Sequence, residues 1–262
     1  MNAMIHDVQL AHCYLKQNTA QRFSKAAKCY QHHARVQQQA ALQLFAMLQS
    51  KHDCLLDLGA GPLLHHEQLK QHASQVLNMD LSHGMLQQGN GSAWRVCADM
   101  DSLPLQTNSI SAVFSNFAIQ WSSLPAQLFK ELGRVCKPGA QLVMSSVLDG
   151  SLKEIALAWK NLDNRCHVNQ FLTLEQLQQF ASDAGFEIKT ARQVCLKDCY
   201  ETPKDAFKSV KHIGANQIHS NDGKRNGLMG KTRYGQLLSG YPLEDGQAVV
   251  SYEVAIMELI KL

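Results

Sequence analysis

A chain of 262 residues, 45% of them hydrophobic, can bury one sizeable core with a small appended region, and its net charge is only +3. No stretch approaches the ~20 apolar residues of a membrane span or pairs a basic start with a long apolar block, so a soluble, cytoplasmic protein is expected. Eight scattered cysteines are too sparse for a secreted disulfide scaffold and are expected to be reduced.

In chain order, residues 1–50 read as an N-terminal helical cover, with the Gln-rich "VQQQAALQ" (36–43) set in a helical pattern. Strand-length apolar bursts then alternate with helix-period stretches, the pattern of a parallel sheet with crossover helices. The strands are "CLLDLG" (54–59), "QVLNMD" (75–80), "RVCADM" (95–100), "SAVFSN" (111–116) and "AQLVMSSV" (140–147). Between the last two, Leu124, Leu128, Leu132 and Val135 share one helical face, and "KPG" (137–139) is expected to stop that helix. Thr173 and Gln176 have capping-box spacing before a helix ending at Gly185. Residues 186–195 and 248–260 are expected to form an antiparallel pair at one edge of the sheet, and the fifty or so residues between them a helical lid. The expected fold class is therefore α/β: a doubly wound, mostly parallel, seven-stranded Rossmann-like sheet. Its expected parts are the cover at 1–50, the α/β domain at 51–199, the lid at 200–247 and a final strand at 248–262.

In such a sheet ligands bind beyond the carboxyl ends of the strands, at the switch point. Gly59 and Gly61 of "DLGAGP" stand there, able to turn tightly and to bring N–H groups close to a ligand. Leu64 occupies the third position of a dinucleotide fingerprint, and no phosphate loop is present. Asp57, two residues before the first glycine, would repel pyrophosphate and welcome an ammonium. Asp80 ends the next strand, where a carboxylate can accept from both ribose hydroxyls. Asp99, at the end of the strand after it, could accept from an adenine amino group while Leu81 and Met100 sandwich the ring, with Met85 as a further contact. The ordered set points to S-adenosylmethionine, with S-adenosylhomocysteine as product. The ordinary alternative for each acid alone is a cap on the next helix. A non-catalytic scaffold would be expected to have lost one of the three.

These residues resemble a class I S-adenosylmethionine-dependent methyltransferase over roughly residues 50–150: "LDLGAGP", "MDLS", "ADMDSLPL" and "LGRVCKPGAQLVMSS" match its successive motifs. The flanks "QRFSKAAKCYQHHARVQQQAA" (21–41), "SNFAIQW" (115–121), "GSLKEIALAWKNLDNRCHVNQF" (150–171) and "SVKHIGANQIH" (209–219) resemble the malonyl-acyl-carrier-protein O-methyltransferases of biotin synthesis. The resemblance implies methylation of the free carboxylate of a malonyl thioester, hiding a charge so that fatty-acid elongation accepts the product as a primer. Malonyl-acyl-carrier protein or malonyl-CoA would be the partner, with no nucleic acid and no membrane. The chain departs from the resemblance at Leu63, where a further glycine is usual.

A carboxylate is ionised at neutral pH and needs no general base, so proximity and charge placement must supply the acceleration. Arg165 is the first candidate to hold it, with His167 a neutral donor beside it; the bland alternative for His167 is a satisfied structural residue. Tyr30 resembles the family tyrosine on a segment folding over the cofactor, where its hydroxyl could touch the substrate or the methyl donor; Phe23 is placed with the substrate, and the two could equally be packing aromatics of one helix. Arg22 is a candidate for the cofactor's carboxylate, or an exposed helix arginine. Asn116 is placed with the cofactor, and Gln120 and Trp121 with the acceptor. The doublets at 32–33 and 65–66, and Cys195 with Cys199, lack the spacing of a metal site, so no metal is assigned. Residues 189–233 hold ten Lys or Arg against four acids. Lys208, Lys211, Lys224 and Arg225 within them are candidate contacts for an acidic carrier, with a solvated face as the alternative. Another small metabolite remains the alternative substrate; "SNFAIQW" lacks the base-flipping motif expected for nucleic acid.

Overall fold

The computed structural model describes residues 16–27, 30, 34–89, 91, 93–163, 167–212 and 230–262. Residues 16–26 are helical. There follow α1 (Arg35–Met47), β1 (His52–Leu58), α2 (His66–Leu69), β2 (Ala73–Asp80), α3 (His83–Leu86), β3 (Trp94–Cys97) and β4 (Ile110–Asn116). Then come α4 (Pro125–Val135), β5 (Cys136–Val147), α5 (Lys153–Lys160), α6 (Leu174–Asp183) and β6 (Phe186–Tyr200). The described chain closes with α7 (Pro203–His212), α8 (Lys231–Ser239), β7 (Leu243–Glu244) and β8 (Gln247–Lys261).

The sheet order is β3-β2-β1-β4-β5-β8-β6, with the two-residue β7 pairing off this path onto β8. The first five strands are mutually parallel. β8 runs antiparallel between β5 and β6, so the expected antiparallel pair is present, with β6 at the edge. Chain direction across the sheet reverses between β1 and β4, which makes the switch point.

Neighbouring residues on a strand face opposite sides, and the buried positions obey this in both layers. Leu55, Phe114 and Val143 join α1, α5, α7 and α8 in one core through Leu44, Trp159, Ala206 and Leu237. Leu56, Val113 and Leu142 join α4 and α6 in the other through Leu128, Leu132, Leu177 and Ala181. Each fully buried Leu or Phe contributes roughly 1.5–3 kcal/mol, so apolar burial on both faces holds the sheet between two helical layers. The capping box is formed: Thr173 Oγ1 accepts from the Gln176 N–H, and the Gln176 side chain accepts from the Thr173 N–H.

Some boundaries differ from expectation. α4 ends at Val135, and "KPG" lies inside β5, because Cys136 already pairs with Ile110 before a register shift carries Ala112 onto Gln141. Leu124 precedes the helix as its N-cap and is exposed; Phe129 takes the inward place instead. β3 stops at Cys97, so Asp99 lies in a turn, where its Oδ1 accepts from the Asp101 N–H. β6 runs on to Tyr200 because β8 pairs with it along its whole length. No helix among the described residues is long and apolar enough to cross a membrane. Cys54, Cys97, Cys136, Cys195 and Cys199 are free thiols.

Candidate active site

A cleft opens at the carboxyl ends of β1, β2 and β4 and encloses about 700 Å3, its open mouth included. Its floor is the turn after β1. Gly59 and Gly61 have φ of 75° and 53°, and the Gly59 and Ala60 N–H groups both donate to Met79 O. The turn is tied to the next strand end by Asp80: Oδ2 accepts from the Gly61 N–H at 2.9 Å and Oδ1 from the Ser82 N–H at 2.7 Å. Leu81, Met85 and Met100 supply apolar wall, and Asn116, Phe117, Ala118 and Trp121 close the side after β4. Phe23 and Tyr30 cover the cleft from the N-terminal part, the Phe23 and Trp121 rings meeting edge to face at 5.3 Å.

The floor holds a buried acid with an unpartnered oxygen. Asp57 is buried at the end of β1, and its Oδ2 has no hydrogen-bond partner. Burial, helped by the nearby Asp80 charge, pushes the Asp57 carboxyl up to about 8. Burial also raises Asp80, against the pull of its two backbone N–H partners. An unsatisfied buried carboxylate beside a second one is costly unless a cation arrives. A Cβ built on Gly61 would meet nothing within 4 Å, so the turn also leaves room above its backbone. An ammonium with a short chain fits this pair of features, and S-adenosylmethionine ends in such a group.

Residues 56–144 match the family model described as "Methyltransferase domain". A malonyl-acyl-carrier-protein O-methyltransferase of Hamiltonella defensa is 32% identical over 90% of this chain and 91% of its own length. One from Gallionella capsiferriformans is 34% identical over 91% of this chain and 88% of its own. An S-adenosylmethionine-dependent methyltransferase structure from Mesorhizobium loti shares the fold at a TM-score of 0.50 and 18% identity, covering 83% of this chain and 95% of that one. The chain belongs to the class I S-adenosylmethionine-dependent methyltransferases and is related to the malonyl-acyl-carrier-protein O-methyltransferase family.

In this methyltransferase the cleft gathers Phe23, Tyr30, Gly59, Gly61, Asp80, Leu81, Met85, Asp99, Met100, Asn116 and Trp121 of the residues singled out in the sequence, with Asp57 just behind the floor. Tyr30's hydroxyl is held well above its usual range by burial and by the Asp80 charge. Asn116 is engaged with the protein itself: Nδ2 donates to Gln37 O of α1, and Oδ1 accepts from Ser145 Oγ. Ser145 Oγ in turn accepts from the N–H of Phe117, a residue in left-handed backbone (φ 54°). Gln120 turns away from the cleft and donates to Phe117 O, so it braces the wall where Trp121 forms it.

The remaining residues stand elsewhere. The His167 side chain is covered, its ring stacked 3.7 Å from that of Trp159 and its Nε2 2.6 Å from Asp163 Oδ1; it is not among the residues lining the cleft. Arg22 lies on the exposed side of the helical segment. Lys208 is exposed and paired with Asp205. Arg165, Lys224, Arg225 and the Lys211 side chain lie outside the described residues, as do His32 and His33. Lys16, Thr19, Ala20, Ser82, Phe117 and Ala118 also line the methyltransferase's cleft and were not singled out. Ser82 was the readable one, since it N-caps α3 with its Oγ on the Met85 N–H.

Leu63, where the resemblance leads one to expect a glycine, has a glycine-like backbone at φ 60°. Its side chain is buried against Ala60 and Leu86. The left-handed backbone costs about 1–2 kcal/mol, and the buried side chain returns about 2–3. Leu63→Gly is therefore expected to destabilise the methyltransferase by about 1 kcal/mol in urea unfolding; stabilisation would show that strain outweighs packing at this turn.

Proposed function

We propose that this methyltransferase transfers a methyl group from S-adenosylmethionine to the free carboxylate of a malonyl thioester, carried on acyl carrier protein or coenzyme A. The observation that carries the reading is the state of the titratable groups lining the cleft among the described residues. Asp80 accepts from two backbone N–H groups, Asp99 is paired with Lys16, and Tyr30 holds its proton tightly. None is poised as a base, which suits an acceptor that arrives already ionised, as a carboxylate with a pKa near ~4 does. The relatives named above act, by their names, on malonyl-acyl-carrier protein.

When bound, S-adenosylmethionine supplies a methyl group activated on a sulfonium. Asp57 and the glycine turn would hold its amino-acid end, Asp80 its ribose, and Leu81 and Met100 its purine. Phe23 and Trp121 exclude water from the acceptor side, which strengthens the charge attraction between carboxylate and sulfonium. Arg165 is assigned to hold the carboxylate; His167, two residues on, is itself held by its clasp on Trp159 and Asp163. The basic surplus of residues 189–233 is partly neutralised by acids outside that stretch: Lys189, Lys197 and Arg233 pair with Glu187, Glu244 and Asp163. Such exposed pairs are worth only about 0–1 kcal/mol, so these cations can re-pair with an acidic carrier at little cost.

The test mixes the protein and S-adenosylmethionine with malonyl-acyl-carrier protein, malonyl-CoA or free malonate and weighs the products. A mass increase of one methyl group on a malonyl thioester is expected. Its absence from all three mixtures would retire the malonyl reading and leave another small metabolite as acceptor.

A further inference from the structure

At the purine end of the cleft, Lys16 makes a contact that methyl transfer does not use. From the helical segment 16–26 its Nζ reaches 2.6 Å from Asp99 Oδ2 and 2.6 Å from Asp101 Oδ2. The two acids are not equivalent. Asp101 is buried, with Oδ1 bonded by Ser122 Oγ and Oδ2 accepting from the N–H and Oγ of Ser123. Asp99 is one-third exposed, lines the cleft, and uses its Oδ1 on the Asp101 N–H, which leaves Oδ2 facing Lys16.

That Oδ2 is also the atom a purine amino group would use. Lys16 itself lines the cleft beside Asp99, so an amino group arriving at Oδ2 meets the ammonium there; the space the ammonium takes and the like polarity of the two donors set them in competition. We propose that Lys16 holds the place of the purine amino group on Asp99 and withdraws onto Asp101 when S-adenosylmethionine enters, making the helical segment 16–26 a charge-fastened latch on the cofactor site. The inference rests on the reading of Asp99 as the purine acceptor.

Two further observations place the latch at an entrance. Lys16, Ala20, Leu81 and Asp99 belong both to the cleft and to a shallower, more open groove that continues past Gln21, Lys25 and His83. The latch therefore stands where the cleft meets open surface on the purine side. Near the other end of the segment, Ser24 Oγ lies 2.8 Å from Ser82 Oγ, fastening it over the turn that follows Asp80. Withdrawal is cheap because Asp101 offers Lys16 an equally close second partner, so the ammonium never faces solvent-poor surroundings alone.

The experiment is calorimetric titration with S-adenosylhomocysteine, which carries the same purine and needs no turnover. For the wild type, affinity is expected to rise several-fold between roughly 20 and 300 mM salt, because screening weakens the partly exposed Lys16–Asp99 pair that the ligand must displace. Lys16→Met is expected to bind about 3- to 10-fold more tightly at low salt and to lose this salt response, while Lys16→Arg keeps it. Lys16→Gln provides a second neutral variant should methionine disturb folding. Asp99→Ala is expected to weaken binding by about tenfold or more. Wild-type affinity in Asp99→Ala would remove Asp99 from the purine site and the latch with it. Weakened binding in Asp99→Ala together with equal or weaker binding in both neutral Lys16 variants, salt response intact, would overturn the latch alone and leave the Asp99 reading standing.

Discussion

Asp57→Asn is expected to lower S-adenosylhomocysteine affinity by about 100-fold or more, because it removes the buried charge that would face the ligand's ammonium, a loss of about 3 kcal/mol or above. The same change should raise the thermal midpoint of the free protein at pH 8. The sign follows from linkage. The folded-state value of Asp57 is raised from 3.8 to about 8, so the stability of the free protein from this group is fullest below about 4 and is lost as pH rises through about 8. Asparagine, neutral at every pH, avoids that loss. In the wild type, binding an ammonium below pH 8 requires Asp57 to give up its proton. Calorimetry at pH 6.5 in buffers of different ionisation enthalpy should therefore show release of close to one proton. Affinity should climb by up to about tenfold per pH unit toward pH 8, then level off. A pH-independent affinity with no proton release would place the ammonium somewhere other than Asp57.

The second large effect separates the two glycines. A Cβ at Gly59 would lie 2.2 Å from Ala118 Cβ, and φ is already 75°. Neither neighbour is the end of a flexible chain, so Gly59→Ala must push the β1 turn away from the wall after β4. About 3 kcal/mol or more of stability should be lost in denaturant unfolding, with cofactor binding lost along with it. Gly61→Ala meets no atom within 4 Å and carries only the left-handed penalty, about 1–2 kcal/mol. That variant should fold, with its added methyl group standing where the turn leaves space for ligand, so its loss should fall on S-adenosylhomocysteine affinity. Equal unfolding midpoints for the two variants would contradict the packing role of Gly59.

The sheet was legible because burial on two faces writes continuous apolar runs, and the switch point because Asp57 and Asp80 stand at successive strand ends, with Asp99 two residues past the third strand. What escaped was contact at long range. Lys16 reads as one more polar residue before a helix, and only the fold brings it across 83 positions to Asp99. Gln120 had the right address for an acceptor contact, yet its amide is spent on Phe117 O three residues back. Asn116 likewise serves the Gln37 carbonyl of α1, a need invisible to periodicity. His167 illustrates the same limit: the sequence showed a donor near Arg165, while its stacking on Trp159 and clasp on Asp163 depend on how α5 and the following loop pack. A count of charges over residues 189–233 was correct, and still could not show that Glu187, Glu244 and Asp163 would meet part of it.

The position of β8 bears on how the molecule comes into being. Strands β5 and β6 are synthesised first, but they never touch as neighbours; the space between them is filled by residues 247–261, whose Ala255, Met257 and Leu259 face one core and Val254 and Ile256 the other. A nascent chain emerging from the ribosome therefore carries two open strand edges and two incomplete cores until that segment has left the exit tunnel, at ~5–20 residues per second. The cofactor cleft, which depends on a settled β4–β5 pair for its Phe117 wall, therefore waits on a segment made well after the residues that line it.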